Sequence, residues 1–94
     1  MFEAKVTDSG KIVLTGRFDA SQVEEAKKVF DQVQQPCTVD FKDLEYISSA
    51  GLGVLLGVQK RLSESGGGLK LINMNRHIRD VFRYAGFDTI FEIV

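Results

Sequence analysis

Two adjacent serines, Ser48 and Ser49, are the side chains of this sequence best placed to carry chemistry. They stand directly before a segment, Ala50 to Val58, whose apolar residues recur with the spacing of a helix. A serine hydroxyl at a helix start can accept a hydrogen bond from a free backbone N–H group, which stabilises the helix by about 1 kcal/mol. The same position favours an anion, because the free N–H groups and the positive end of the helix dipole lie there.

These properties allow two interpretations of the serine pair. In the first, one hydroxyl only caps the helix, and the local physics alone favours this explanation. Alternatively, one serine carries a phosphate, which would add about −1.5 to −2 charges to an exposed surface without unfolding the domain. Binding of another protein would then be switched while the fold persists.

The other reactive side chains give weak support for catalysis or a metal site. The single histidine, His77, lies between Arg76 and Arg79, which predicts a solvated surface side chain. No Gly-x-Ser-x-Gly segment presents a serine nucleophile, and no clustered His or Cys spacing is typical of metal binding. Cys37 begins a predicted strand, so we expect a packed and inert thiol. We therefore expect no enzyme activity and no bound metal.

Three glycines, Gly51, Gly53 and Gly57, fall within the same predicted helix. Their spacing matches neither the dinucleotide-binding pattern nor the phosphate-binding loop, so no nucleotide or other cofactor is predicted. We expect these small residues to let neighbouring elements approach the helix closely, although each glycine costs about 1 kcal/mol of helix propensity. Glycines near the helix start also leave its first turn bare, and another protein can lie against a bare turn.

Length and charge limit the remaining classes of function. The 94 residues suffice for one domain, residues 1–94, with a modest core. Twelve Lys and Arg against thirteen Asp and Glu leave a formal charge of −1, so no net field attracts nucleic acid or an anionic membrane. The longest nearly apolar stretch is far shorter than the ~20 residues of a membrane span, and no signal peptide is visible. We expect a cytoplasmic protein.

The first half of the chain predicts a hairpin, a helix and a strand. Phe2 to Val6 and Lys11 to Gly16 form the β-hairpin. A capping box of Ser21 and Glu24 opens a helix over residues 21–34. Residues 37–41 then form a short strand, and Lys42 to Ser48 form a connection.

The second half predicts two further helices around one strand. A largely buried helix begins at Ser49, and a strand covers Leu69 to Asn73. Asn75 caps a third helix, and Gly86 follows it as a left-handed C-terminal cap. The tail, Phe87 to Val94, packs on the domain as a short strand or helix.

This order of elements predicts an α/β fold. Strands that alternate with helices imply a mainly parallel central sheet of four to five strands, with helices packed on it, right-handed crossovers and an N-terminal β-hairpin. In such sheets the functional crevice lies outside the carboxyl ends of the strands. That rule directs attention to the segment from Asp40 to Gly53.

The same segment resembles a known family. Residues Asp40 to Leu56 are similar to the signature of STAS domains, specifically of the small bacterial anti-sigma factor antagonists. Leu14 to Asp19 resembles the family's second strand, which ends in Gly-x-Leu/Phe-Asp, and Ile78 to Phe87 resembles its last helix and the following break. The resemblance covers nearly the whole chain and implies a single STAS domain.

The resemblance implies a partner-switching role. Members of the family bind an anti-sigma factor, usually a serine kinase related to histidine kinases, and so release a sigma factor. The kinase phosphorylates a serine at the start of the second helix, which breaks the complex, and a metal-dependent serine phosphatase restores it. By position, Ser49 matches the phosphorylated serine. The residues that match the partner-binding surface are Asp19, Ser48, Ala50, Gly51, Leu52 and Gly53.

Two positions leave alternatives open. Several family members have Asp where this chain has Ser48, so Ser48 could itself be modified. Asp19 could equally be a local cap at a helix entry. We expect a monomer or weak dimer that binds an anti-sigma factor serine kinase, is switched off by phosphorylation of Ser49 and is restored by the phosphatase. The alternative is a STAS scaffold or ligand-sensing module in which Ser49 is only a cap.

Overall fold

The computed structural model describes all residues from 1 to 94, which form five strands and three α-helices. Short 3-10 turns at Ala20–Gln22 and Phe87–Thr89 precede the first helix and the last strand. The elements in chain order are β1 Phe2–Val6, β2 Ile12–Phe18, α1 Val23–Phe30, β3 Cys37–Ile47, α2 Ser49–Ser63, β4 Leu69–Ile72, α3 Arg76–Tyr84 and β5 Glu92–Ile93.

One sheet contains the five strands in the order β1-β2-β3-β4-β5. The N-terminal pair β1 and β2 is antiparallel, and every other neighbouring pair is parallel. The predicted α/β class, the hairpin and the mainly parallel sheet are therefore confirmed. The C-terminal tail, which the sequence left as strand or helix, supplies a 3-10 turn and then the edge strand β5.

The helices cover one face of the sheet. Along β2, Ile12, Leu14 and Phe18 are buried while Thr15 and Arg17, which point to the opposite face, are exposed. Each parallel crossover advances by one strand in the same direction, and right-handed crossovers of that kind place their helices on the same side. The core of 21 buried apolar residues lies between this helical layer and the sheet.

Two boundaries that the sequence suggested are wrong. β3 continues to Ile47, so the predicted connection from residue 42 to 48 is mostly strand. α1 covers only Val23–Phe30, and the predicted capping box of Ser21 and Glu24 is replaced by one made of Asp19 and Gln22. α1 stops early because the chain turns at residue 31, where the Arg61 guanidinium of α2 donates to two carbonyls of that turn, those of Phe30 (2.9 Å) and Val33 (2.7 Å).

Asp40 of β3 is a buried carboxylate within this sheet, with 8% of the residue exposed. Its oxygens accept from the Lys42 backbone N–H (2.9 Å) and the Asn73 side-chain amide (3.1 Å), and the Lys11 ammonium lies 3.5 Å away. Burial alone would raise the pKa of Asp40, but these hydrogen bonds and the Lys11 charge outweigh it, so the pKa is lowered. The folded protein therefore binds a proton at Asp40 less readily than the unfolded chain.

This lowered pKa predicts a specific loss of stability in acid. The contribution of Asp40 is present above the ordinary carboxyl pKa of about 4 and is lost as the pH falls through the lower pKa of the folded state. Free energies of unfolding from urea titrations between pH 7 and pH 2.5 measure it. We expect Asp40→Asn to flatten the acid limb of that profile, whereas an unchanged limb would show that other carboxylates dominate.

Candidate functional site

The candidate site lies where β2 and β3 end, at the carboxyl edge of the sheet. Phe18, the last residue of β2, pairs with Ile47, the last residue of β3. The next backbone N–H, that of Ser48, donates to the Phe18 carbonyl oxygen at 2.9 Å. The turn that begins at Asp19 and the start of α2 therefore leave the sheet side by side.

The two serines at the start of α2 have different environments. Ser48 is half-buried and is the cap residue, because its Oγ accepts a hydrogen bond from the Gly51 N–H at 3.2 Å. Ser49 is the first helical residue, is exposed, and takes no part in this cap. The prediction that one hydroxyl caps α2 is confirmed, and the cap is Ser48. The Ser49 hydroxyl is thus available to another molecule.

Asp19 opens the neighbouring turn and is held in place by local hydrogen bonds. Its Oδ1 accepts from the Ser21 hydroxyl (2.6 Å) and the Ser21 N–H (2.9 Å), while its own N–H donates to Gln22 Oε1 (2.9 Å). The Ser21 hydroxyl, followed by the Ser21 N–H, lowers the pKa of Asp19, and the positive charges of Arg17 and the chain's amino terminus add to this. The carboxylate is ionised at neutral pH. The local-cap interpretation of Asp19 is confirmed, and its role in partner binding stays a prediction.

The glycines of α2 divide into one packed position and two open ones. A Cβ atom at Gly51 would lie 2.9 Å from Ile47 Cγ1 and 3.2 Å from the Phe18 carbonyl oxygen, so glycine allows α2 to approach the sheet edge. Gly53 and Gly57 are exposed, and a Cβ at either would meet nothing within 4 Å. Close packing within the domain therefore explains Gly51, but the same expectation is wrong for Gly53 and Gly57.

The remaining predicted partner-binding residues are only partly accessible. Ala50 is half-buried, and Leu52 is buried with 6% exposed. At the helix start, Gly51 and Leu52 thus face the interior of the domain, while Ser49 and Gly53 form the exposed surface. Next to Gly53, a shallow cavity of about 170 Å³ separates α2 from α1, and Gly57 also lines it. The sequence did not single out Gly57 as a surface position, although its helical spacing from Ser49 and Gly53 would have indicated it.

The other side chains considered for chemistry lie elsewhere. His77 is exposed on α3, as predicted. Cys37 is half-buried, its thiol donates to the Gly10 carbonyl at 3.3 Å, and burial raises the pKa of that thiol, so the expected packed thiol is confirmed. No three His, Cys, Asp or Glu side chains lie together in a way that could hold a metal ion. None of the helices has the length and apolar content needed to span a bilayer.

Together these features define a class: a two-layer α/β domain that presents a serine at a helix start beside the carboxyl ends of parallel strands. A family model described as "Mlab, STAS domain" matches residues 1–94. The chain belongs to the STAS domain family, and its relatives there are anti-sigma factor antagonists.

Comparisons with individual proteins agree with this assignment. BtrV of Bordetella bronchiseptica, described as an anti-sigma factor antagonist, is 40% identical over 76 residues, which are 80% of this chain and 66% of the length of BtrV. A crystal structure from Thermotoga maritima, of a protein described in the same way, has a TM-score of 0.81 at 28% identity and covers 99% of this chain and 85% of that one. The Bacillus cell fate determinant SpoIIAA, solved in its phosphorylated form, shares the fold with a TM-score of 0.70 at 22% identity over 100% of this chain and 91% of its own.

Proposed function

We propose that this domain is an anti-sigma factor antagonist that binds an anti-sigma factor serine kinase and so releases a sigma factor. Phosphorylation of Ser49 switches the binding off, and a serine phosphatase restores it. The proposal places the protein in the bacterial cytoplasm, where transcription takes place. The description of BtrV supports the role as an antagonist. The observation that supports a switch at Ser49 is the difference between the two serines: Ser48 makes the helix cap, and Ser49 is left exposed.

A phosphate at Ser49 suits the physical properties of this position. The first N–H groups of α2 have no partner within the helix, and the positive end of the helix dipole favours an anion there. The phosphate would add about −1.5 to −2 charges beside the ionised Asp19 without disturbing the Ser48 cap. The fold therefore persists while the charge of the binding surface changes. That the similar fold of SpoIIAA is known in a phosphorylated form supports such a state.

The experiment that tests the proposal is phosphorylation with ATP and the cognate kinase, followed by mass spectrometry to locate the phosphate. We expect a single phosphate on Ser49 in the wild-type protein and in Ser48→Ala, and none in Ser49→Ala. Phosphate on Ser48, or no phosphate with a kinase that demonstrably binds, would contradict the assignment. Binding that is insensitive to phosphate would instead favour the scaffold or ligand-sensing alternative.

The open glycine next to Ser49 provides a separate test of the binding surface. Because a Cβ at Gly53 meets nothing within 4 Å, Gly53→Ala should not disturb the fold and should raise the free energy of unfolding by up to about 1 kcal/mol through helix propensity. The added methyl group should nevertheless weaken kinase binding, measured by calorimetry, if the partner packs closely on α2. Gly57→Ala tests the dependence on distance from Ser49, since Gly57 is equally open on the same face but lies one turn further away, and we expect it to weaken binding less. An unchanged affinity of Gly53→Ala for the kinase would show that Gly53 is not part of the partner-binding surface.

A further inference from the structure

The end of β3 reaches the site because its paired segment, Val39 to Ile47, contains two more residues than the segment of β2 beside it, Ile12 to Phe18. The register between β2 and β3 shifts once after Val13 and again after Gly16. Each shift is a β-bulge, at which one extra residue of β3 has no partner on β2. The successive pairs that show this are Val13 with Asp40, Thr15 with Asp43, Gly16 with Leu44, Arg17 with Tyr46 and Phe18 with Ile47.

These bulges decide where Ser49 lies. A strand with uninterrupted register would pair Phe18 with Glu45, two residues before Ile47. The start of α2 would then lie about 7 Å further along the strand direction, since each strand residue rises by about 3.3 Å. The hydrogen bond from Ser48 N–H to the Phe18 carbonyl could not form, and Ser49 would separate from Asp19. Loss of a single bulge would also reverse which side chains of β3 face the core.

The first bulge is held by Asp40. Its Oδ1 accepts the N–H of Lys42 at 2.9 Å, and Lys42 lies with Phe41 inside the bulge, between the pairs Val13 with Asp40 and Thr15 with Asp43. The same oxygen accepts from the Asn73 amide at 3.1 Å, and Oδ2 lies 3.5 Å from the Lys11 ammonium. Asp40 is the one buried polar or charged residue of the domain. Burial of a carboxylate costs free energy unless hydrogen bonds satisfy it. The hydrogen bonds that satisfy Asp40 are also the ones that fix the bulge and the turn after β4.

We propose that Asp40 is a positioning residue for the switch: by holding the first β3 bulge, it sets the register at which Ser48 and Ser49 leave the sheet next to Asp19. This inference rests on the proposed function only in the role given to Ser49. The geometric part concerns the folded chain itself and needs no partner. Asp40 acts through the backbone of β3.

Amide hydrogen exchange followed by NMR tests the geometric part. In Asp40→Ala, protection of the Ser48 N–H should fall at least about tenfold relative to amides of α3, because the bond to Phe18 depends on the register. Asp40→Asn retains a side-chain oxygen for Lys42 N–H and should keep the protection ratio near that of the wild type. The matched control is Gln59→Ala, which removes bonds to the Leu69 N–H and the Ile90 carbonyl but leaves the bulge intact.

The outcomes separate positioning from general destabilisation. A fall in Ser48 protection no larger in Asp40→Ala than in Gln59→Ala would overturn the proposal. Should Asp40→Ala not fold, Asp40→Val takes its place, because it also offers no acceptor to the Lys42 N–H and has a higher β-propensity. Its Ser48 protection should fall at least about tenfold as well, and an unchanged ratio would also overturn the proposal.

A second readout connects Asp40 to the switch. The rate at which the kinase phosphorylates Ser49 should fall at least about tenfold in Asp40→Ala, because Ser49 is then no longer held in position at the start of α2. In Asp40→Asn and Gln59→Ala the rate should stay within about twofold of wild type, because both variants keep the first bulge. Equal rates in all variants would contradict the positioning role. Absence of phosphorylation in the wild type would instead refute the proposed function, and the exchange experiment would still decide the geometric part.

Discussion

Replacing Gly16 by Ala is expected to lower the free energy of unfolding by about 3 kcal/mol or more, which is a large share of the stability of a small domain. Gly16 lies in the middle of β2 with a φ of +87°, a conformation that costs a residue with a Cβ about 1–2 kcal/mol. The Cβ would also overlap the carbonyl oxygen of Met1, which accepts a hydrogen bond from Arg17 N–H at 3.0 Å. Because both obstacles are backbone, no side chain can rotate away to relieve them.

Thermal and urea unfolding measure this loss, and a second glycine separates its two causes. Gly10 has a nearly equal φ of +84° in the hairpin turn, but a Cβ there meets nothing within 4 Å. Gly10→Ala should therefore cost only the conformational penalty, about 1–2 kcal/mol, while Gly16→Ala costs clearly more. For a domain of this size the difference corresponds to a further decrease in Tm of at least about 5 °C. Equal losses in the two variants would show that the approach of Met1 has no energetic consequence.

The architecture was predictable because its local signals are strong. The Asn75 cap of α3 and the left-handed Gly86 both have the conformations that the sequence predicts. The alternation of strands and helices then permits few topologies, since parallel crossovers are right-handed. The Asn75 cap also makes the start of α3 at Arg76 predictable, whereas β4 ends at Ile72, one residue before the predicted end at Asn73, whose φ of 60° leaves the strand conformation.

The far end of β3 was not predictable from hydrophobic alternation. Lys42, Asp43 and Glu45 interrupt the apolar pattern, so the segment looks like a connection. The bulges place one extra residue before Asp43 and another before Tyr46, which shifts the alternation twice within a single strand. Tertiary pairing with β2, which sequence periodicity does not record, keeps these polar residues in the ladder.

The sequence also could not predict which of the two adjacent serines caps α2. Two adjacent serines before a helix have equal propensity to cap it, so local rules cannot choose between them. The choice is made by the hydrogen bond from Ser48 N–H to the Phe18 carbonyl, which fixes the last strand-like residue and therefore the first helical one. The orientation of Gly53 and Gly57 likewise depends on how α2 is rotated against the sheet. Val54, Leu55 and Val58 determine that rotation, because they face the core.

Replacing Ser49 by Glu is expected to weaken binding of the anti-sigma factor kinase by at least about 30-fold, because an unpaired charge brought into an interface costs about 2 kcal/mol or more. Ser49→Ala should bind within a few-fold of wild type, since it adds no charge. Neither change touches the Ser48 cap, so both variants should unfold within about 0.5 kcal/mol of the wild-type protein. Calorimetric titration of the kinase, with a urea unfolding curve for each variant, measures both quantities.

The sharpest control adds the same charge one residue earlier. Ser48→Asp retains a good helix cap, because Asp accepts from the N–H groups of the first turn as well as Ser does. Its carboxylate is directed back onto the Gly51 N–H, as the Ser48 hydroxyl is, whereas a charge at residue 49 points outward from an exposed position. We therefore expect Ser48→Asp to bind the kinase nearly as well as wild type, and its resemblance to family members with Asp at this position implies the same. If Ser48→Asp and Ser49→Glu weakened binding equally, net charge would explain the effect, and the specific role of Ser49 would be lost.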